Sequence, residues 1–161
     1  MKEQSTTVLS APRLEKGNAM LIFGLNQRYL TGNMSAIPSQ WSSFVPYLGQ
    51  IDGQIGKVAY GVVHNPDDSG GCDYICGVAV REFPNHPKEF TRLRISPQTY
   101  AVFEHRDHIS SIPNTWKAIW EHGLADFGYQ AADGPVFERY DEKFDGSTGF
   151  GGLEIWIPIK S

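Results

Sequence analysis

The 161-residue chain has two cysteines, and nowhere does one lysine or arginine stand beside another. Without a basic stripe there is no electrostatic footprint for nucleic acid, and a net charge of −4 argues the same way. Direct nucleic-acid binding is not expected. Long hydrophobic runs are missing too. The longest, Ala19-Met20-Leu21-Ile22-Phe23-Gly24-Leu25, falls far short of the ~20 residues that span a bilayer. No apolar stretch of signal-peptide length follows Met1-Lys2-Glu3-Gln4-Ser5-Thr6-Thr7. These absences point to a soluble, cytoplasmic protein with no membrane partner.

Cys72 and Cys76 stand four apart on a strand-like run, roughly 13 Å at strand rise, whereas a disulfide needs Cα atoms within about 7 Å. They read as buried reduced thiols, and their spacing is not that of a zinc or redox motif. The run His105-Arg106-Asp107-His108 offers no third metal ligand, and His64, His86 and His122 stand apart from it. There is no nucleophile elbow and no phosphate-cradling glycine loop. No metal and no cofactor are expected.

What the chain does have is aromatic residues and a repeat. Aromatics make up 12% of it, enough to furnish a core or a ligand pocket. Ile37-Pro38-Ser39-Gln40-Trp41 returns 75 residues later as Ile112-Pro113-Asn114-Thr115-Trp116. Each copy follows a strand-like run (Met20 to Tyr29; Tyr100 to His105) and precedes two more (Val58–Val63 and Tyr74–Val80; Val136–Tyr140 and Leu153–Ile159). Trp41, Phe44, Val45 and Leu48 fall on one helical face, as do Trp116, Ile119, Trp120 and Leu124. Proline three residues before each tryptophan suits a first helical turn. Ser35 and either Asp107 or Ser110 are the expected N-caps, and the second helix should end near Gly123 or Gly128. Asn65 to Gly71 and Asp141 to Gly152 are expected to be hairpin loops.

The chain therefore reads as one α+β domain over 1–161, duplicated at about 1–83 and 88–161 with the join at Pro84 to Lys88. Two strand–helix–strand–strand units would form one mostly antiparallel sheet with two helices and a single site where they meet. Thr6–Leu14 is an alternative first strand, pairing with Met20–Tyr29.

Two carboxylates, Glu138 and Glu154, lie inside strands in aromatic company. If their runs pair as a hairpin, the two acids could share a face, with Tyr140 beside Glu138 and Trp156 beside Glu154. Alternatively both face solvent, paired with Arg139 or Lys160.

Ile95-Ser96-Pro97-Gln98-Thr99-Tyr100-Ala101-Val102-Phe103, the run from Ile112 to Trp120, Phe137-Glu138-Arg139-Tyr140-Asp141, and Glu154-Ile155-Trp156-Ile157-Pro158-Ile159-Lys160 together resemble the effector-binding domain family. That family includes the ligand modules of AraC-type and multidrug-sensing MerR-type regulators and the gyrase-inhibitor-like proteins. The first half matches more loosely, through Trp41-Ser42-Ser43-Phe44-Val45-Pro46, Tyr60-Gly61-Val62 and Tyr74-Ile75-Cys76-Gly77-Val78. A glycine common in the family is replaced here by His105-Arg106-Asp107.

The resemblance implies a cleft between the halves that takes amphipathic, often cationic aromatic compounds. Glu138 stands where the family has its ligand-binding glutamate, and Glu154 where some members have a second acid. Tyr100, Tyr140 and Trp156 are the expected walls, with Trp41, Trp116, Trp120 and Tyr60 divided between cleft and core. The domain is expected to fill the chain without a helix-turn-helix, as in the standalone members found as mobile-cassette proteins. Two other functions fit the same pattern. One is hydrolysis of reactive electrophiles, with Glu138 as general base beside Tyr100 or Tyr140. The other is gyrase-inhibitor-like action on a protein partner, a regulator or gyrase.

Overall fold

The computed structural model describes residues 9–30 and 35–160. Its elements are β1 (Arg13–Gly17), β2 (Met20–Tyr29), α1 (Ile37–Phe44), β3 (Ala59–His64), β4 (Cys72–Val80), β5 (Thr91–Ile95), β6 (Gln98–His105), α2 (Ile112–Ala118), β7 (Val136–Tyr140) and β8 (Leu153–Pro158). The eight strands form one sheet in the order β1-β6-β8-β7-β3-β4-β2-β5, and every pairing is antiparallel. The order mirrors itself about the β3–β7 seam. Each half is a strand–helix–strand–strand unit, as the repeat predicts.

The halves trade their outermost strands. β1 precedes β2 but pairs with β6, while β5 precedes β6 but pairs with β2. The alternative in which the early residues pair with Met20–Tyr29 is therefore corrected, since Arg13 and Leu14 pair with Val102 and Ala101 of β6, while β2 pairs with β4 along one edge and with β5 over Met20–Gly24 of the other. Thr6, Thr7 and Val8 of that expected strand lie outside the described residues.

This exchange curls the sheet. Two residues, Ser96 and Pro97, join β5 at one end of the sheet to β6 near the other. In a flat sheet those strands would stand six spacings apart, roughly 29 Å, whereas the link reaches about 11 Å. Asn18 and Ala19 impose the same limit between β1 and β2. The inner face of the curl is a core in which Ile22 and Ile95 from one end meet Tyr100 and Val102 from the other.

The helices lie on the outer face. α1 packs through Phe44 and Trp41 on Phe23, Tyr74 and Val78, and α2 through Ile112, Ile119 and Trp116 on Phe103, Ile155 and Ile157. Neither helix has the expected cap. Ala36 and Ser111 occupy the N-cap positions and make no side-chain capping bond. α2 continues through a π-turn, Ile119–Gly123, to Asp126, and Gly128 ends it at φ +82°. The expected end is thus met. Cys72 and Cys76 are buried and free on β4. No helix among the described residues is long and apolar enough to cross a membrane.

Candidate functional site

Between α1 and α2 the β3–β7 seam is left uncovered, forming the floor of a cleft of about 1940 Å³. Ala59, Val63, Val136, Glu138 and Tyr140 line its floor; Ile37, Pro38, Trp41 and Val45 come from the first half, and Pro113, Trp116 and Trp120 from the second. Phe144, from the β7–β8 loop, packs edge-on against Tyr140 at 5.1 Å.

Glu138 stands at the centre of the β3–β7 ladder, with Gly61 directly opposite and two residue pairs on either side. The axis relating the halves passes through this pair, so the counterpart of Glu138 is a residue with no side chain. That absence is required. A Cβ on Gly61 would fall inside the contact radius of the Tyr74 hydroxyl and 2.8 Å from Glu138 Oε1.

The Glu138 carboxylate is buried and accepts three hydrogen bonds. Oε1 takes the hydroxyls of Tyr74 (2.8 Å) and Tyr140 (2.7 Å), and Oε2 takes the indole N–H of Trp116 (2.8 Å). Trp41, the partner of Trp116 in the repeat, donates to Tyr74 Oη at 2.9 Å. Both repeat tryptophans thus converge on one carboxylate. Burial pushes its pKa above the ordinary carboxylate value, while bonds from Tyr140, Trp116 and Tyr74, and last the charge of His105, pull it back. The two phenols are pushed far up, by burial first and then by the neighbouring Glu138 charge, so they stay protonated and donate. Among the described residues no lysine, arginine or histidine forms an ion pair with Glu138. The site is a negative charge at the bottom of an aromatic cleft.

The structure brings Glu138, Tyr140, Trp41, Trp116 and Trp120 together. Trp120 is half exposed, at the rim. It does not bring Glu154, Tyr100, Trp156 or Tyr60 to the cleft. The β7–β8 register pairs Glu138 with Ile155 and Arg139 with Glu154, so the two acids point to opposite faces. The shared face expected from a hairpin is corrected by that one-residue offset. Tyr60, Tyr100 and Trp156 belong to the inner core, packed around Phe137 with ring centroids 5.5 Å from it.

Glu154 instead accepts from Trp156 Nε1 at 3.0 Å and pairs with Arg13 Nη1 at 2.7 Å, with Arg139 further off at 3.8 Å. It fastens β1 to the sheet. Burial raises its pKa, but Arg13 leads the groups that outweigh burial and leave it below the ordinary carboxylate value. A lowered carboxylate stabilises the fold above its unfolded pKa, and that contribution vanishes as pH falls through the folded value. Glu154→Gln should thus cost about 0.5–1 kcal/mol at neutral pH, because Arg13 is largely solvated. Thermal melts of both proteins should converge on acidification well below pH 4.5.

Sequence reasoning misses Tyr74, which shares the carboxylate with Tyr140. Its signal was available: alternation along β4 puts Tyr74 and Cys76 on one face, which the register turns toward Gly61.

A curled antiparallel sheet with two outer helices and an aromatic cleft between pseudo-symmetric halves defines a small-molecule-binding α+β domain. Residues 10–160 match the model of the GyrI-like small molecule binding domain, and the chain belongs to that family. It is 31% identical over 121 residues to the transcriptional regulator BrlR of Pseudomonas aeruginosa, covering 74% of this chain but 44% of that regulator. The chain thus spans less than half the length of this relative. The fold is shared with SAV2435, solved bound to tetraphenylphosphonium (TM-score 0.74, 18% identity, 94% of this chain and 95% of that one). It is shared also with an integron cassette protein from the mobile metagenome of Vibrio cholerae (TM-score 0.64, 17% identity, 94% and 97%).

Proposed function

We propose that the cleft binds cationic aromatic compounds, with Glu138 as the charge partner and Trp41, Trp116, Tyr74 and Tyr140 as the surrounding π-surface, and that the domain serves as a ligand-sensing or sequestering module. One observation carries this reading: a buried carboxylate, open to an aromatic cleft, with three neutral donors and no ion-pair partner among the described residues. Such a charge gains from a cation, and each aromatic face adds about 0.5–2 kcal/mol of cation–π attraction. The relative solved with tetraphenylphosphonium supports the reading.

The occupied carboxylate also narrows the ligand. Tyr74, Tyr140 and Trp116 already supply hydrogen bonds, so a cation need not bring an N–H of its own. Onium ions without N–H should bind at least as well as primary ammonium ions of equal aromatic area. The same three donors weigh against Glu138 as a general base, because each stabilises the carboxylate against taking a proton.

Thermal melts with tetraphenylphosphonium and the neutral triphenylphosphine oxide test the proposal. At a hundredfold excess over Kd the cation should raise the melting temperature by roughly 5–10 °C. The neutral compound should act much more weakly. Equal shifts from both would remove charge from the account.

A further inference from the structure

In each half the residue just before the cleft tryptophan is polar, buried to 4% exposure and absent from the cleft wall: Gln40 before Trp41, Thr115 before Trp116. Both are tied down. The Gln40 amide Nε2 donates to the carbonyls of Leu25 (2.9 Å) and Tyr74 (2.8 Å), and its Oε1 accepts from the Tyr29 hydroxyl at 2.7 Å. Thr115 Oγ1 lies 2.7 Å from Nδ1 of buried His105, whose Nε2 lies 2.9 Å from the His108 carbonyl oxygen. A carbonyl can only accept, so Nε2 carries a proton, and in the neutral ring Nδ1 accepts from the Thr115 hydroxyl. The His105 ring is thus held between the Thr115 hydroxyl and the His108 carbonyl.

Packing alone does not call for these groups. Each satisfies buried partners that an apolar side chain would leave unpaired, the Tyr29 hydroxyl and Leu25 carbonyl for Gln40 and the His105 ring for Thr115, so these bonds stabilise as well as aim. A hydrogen bond adds direction, since it weakens steeply with angle and distance. Direction is what the following residue needs: the Trp116 indole must place its N–H at Glu138 Oε2, and Trp41 its own at Tyr74 Oη.

We propose that Gln40 and the Thr115–His105 pair are positioning residues of the ligand site, setting the first turn of each helix so that the Trp116 indole N–H orients the Glu138 carboxylate directly and the Trp41 indole N–H does so through the Tyr74 hydroxyl. The proposal rests on the cleft reading above for its consequence in binding, but its geometric content is separate.

The test is Thr115→Val, which keeps shape and removes the hydroxyl, with Thr115→Ser as rescue. In the ligand-free protein the Trp116 indole N–H resonance, assigned by Trp116→Phe, should move upfield in the valine variant and return in the serine variant. Affinity for tetraphenylphosphonium should fall roughly five- to tenfold, while that for triphenylphosphine oxide holds, the scale of one weakened charge-assisted contact. If Thr115→Val fails to fold, Gln40→Leu applies the same reading to the Trp41 indole. An unmoved indole resonance, whatever happens to the melting temperature or the affinities, overturns the proposal. The resonance needs no ligand. It therefore decides the positioning claim even if tetraphenylphosphonium fails to bind, a result that would remove the cleft reading alone.

Discussion

Glu138→Gln is expected to weaken binding of a cationic aromatic compound by about ten- to a hundredfold, or about 1.5–3 kcal/mol, the scale of a lost charge-assisted contact. The amide keeps the shape of the carboxylate but accepts through one oxygen. If that oxygen keeps the hydroxyls of Tyr74 and Tyr140, the amide nitrogen faces the Trp116 N–H, donor against donor. Neutral ligands of similar shape should bind about as well as before. The fold should survive, because the substitution also removes a buried charge that burial disfavours. Titration of tetraphenylphosphonium into both proteins is the measurement, and equal affinities would take the carboxylate out of the binding account.

The same residue fixes the sign of a pH dependence. Burial holds its folded pKa above the ordinary 4.5, so between those values the folded chain carries more protons than the unfolded one. Stability contributed through Glu138 therefore rises on acidification through that window. Cation affinity moves the other way, since protonation removes the charge the ligand needs. Glu154 gives stability the opposite slope, so the comparison must be made against Glu138→Gln at each pH.

Much of this was legible in the sequence, for reasons that differ by element. The repeat located both helices and the two-unit fold, because the Ile-Pro-x-x-Trp segment writes a helix start and its buried face into five residues. β7 and β8 followed from simple alternation. β5 did not, since Thr91-Arg92-Leu93-Arg94-Ile95 is short and carries two arginines in five residues, as an edge strand does.

The exchange of β1 and β5 was hidden for another reason: strand partners are set by which edges remain open after the core forms. The acids show this most sharply. Glu138 and Glu154 occupy equally plausible strand positions, yet a one-residue offset in register sends one to the cleft and the other to an ion pair with Arg13. Periodicity gives alternation within a strand, not which face of the next strand it meets. For the same reason Tyr100 and Trp156, chosen as walls, fill the inner core, while Tyr74 stands at the carboxylate.

Gly61→Ala is the second large effect expected, and its sign is informative. At an unobstructed strand position, replacing glycine by alanine stabilises by about 0.5–1 kcal/mol, because the unfolded chain loses freedom. At Gly61 the added methyl meets the Tyr74 ring and hydroxyl and Glu138 Oε1, all held by hydrogen bonds. Overpacking of this kind costs about 1–3 kcal/mol, so denaturant unfolding should shift toward lower stability. Cation affinity should fall with it, as Tyr74 is pushed off the carboxylate. The cause can be isolated in a Tyr74→Leu background, where the obstructing phenol is gone. There, Gly61→Ala should cost less than half of what it costs in the parent chain, a coupling expected of residues in direct contact. A stabilising Gly61→Ala, or an equal cost in both backgrounds, would mean that the seam has room for a side chain. The absence of one opposite Glu138 would then have nothing to do with the carboxylate.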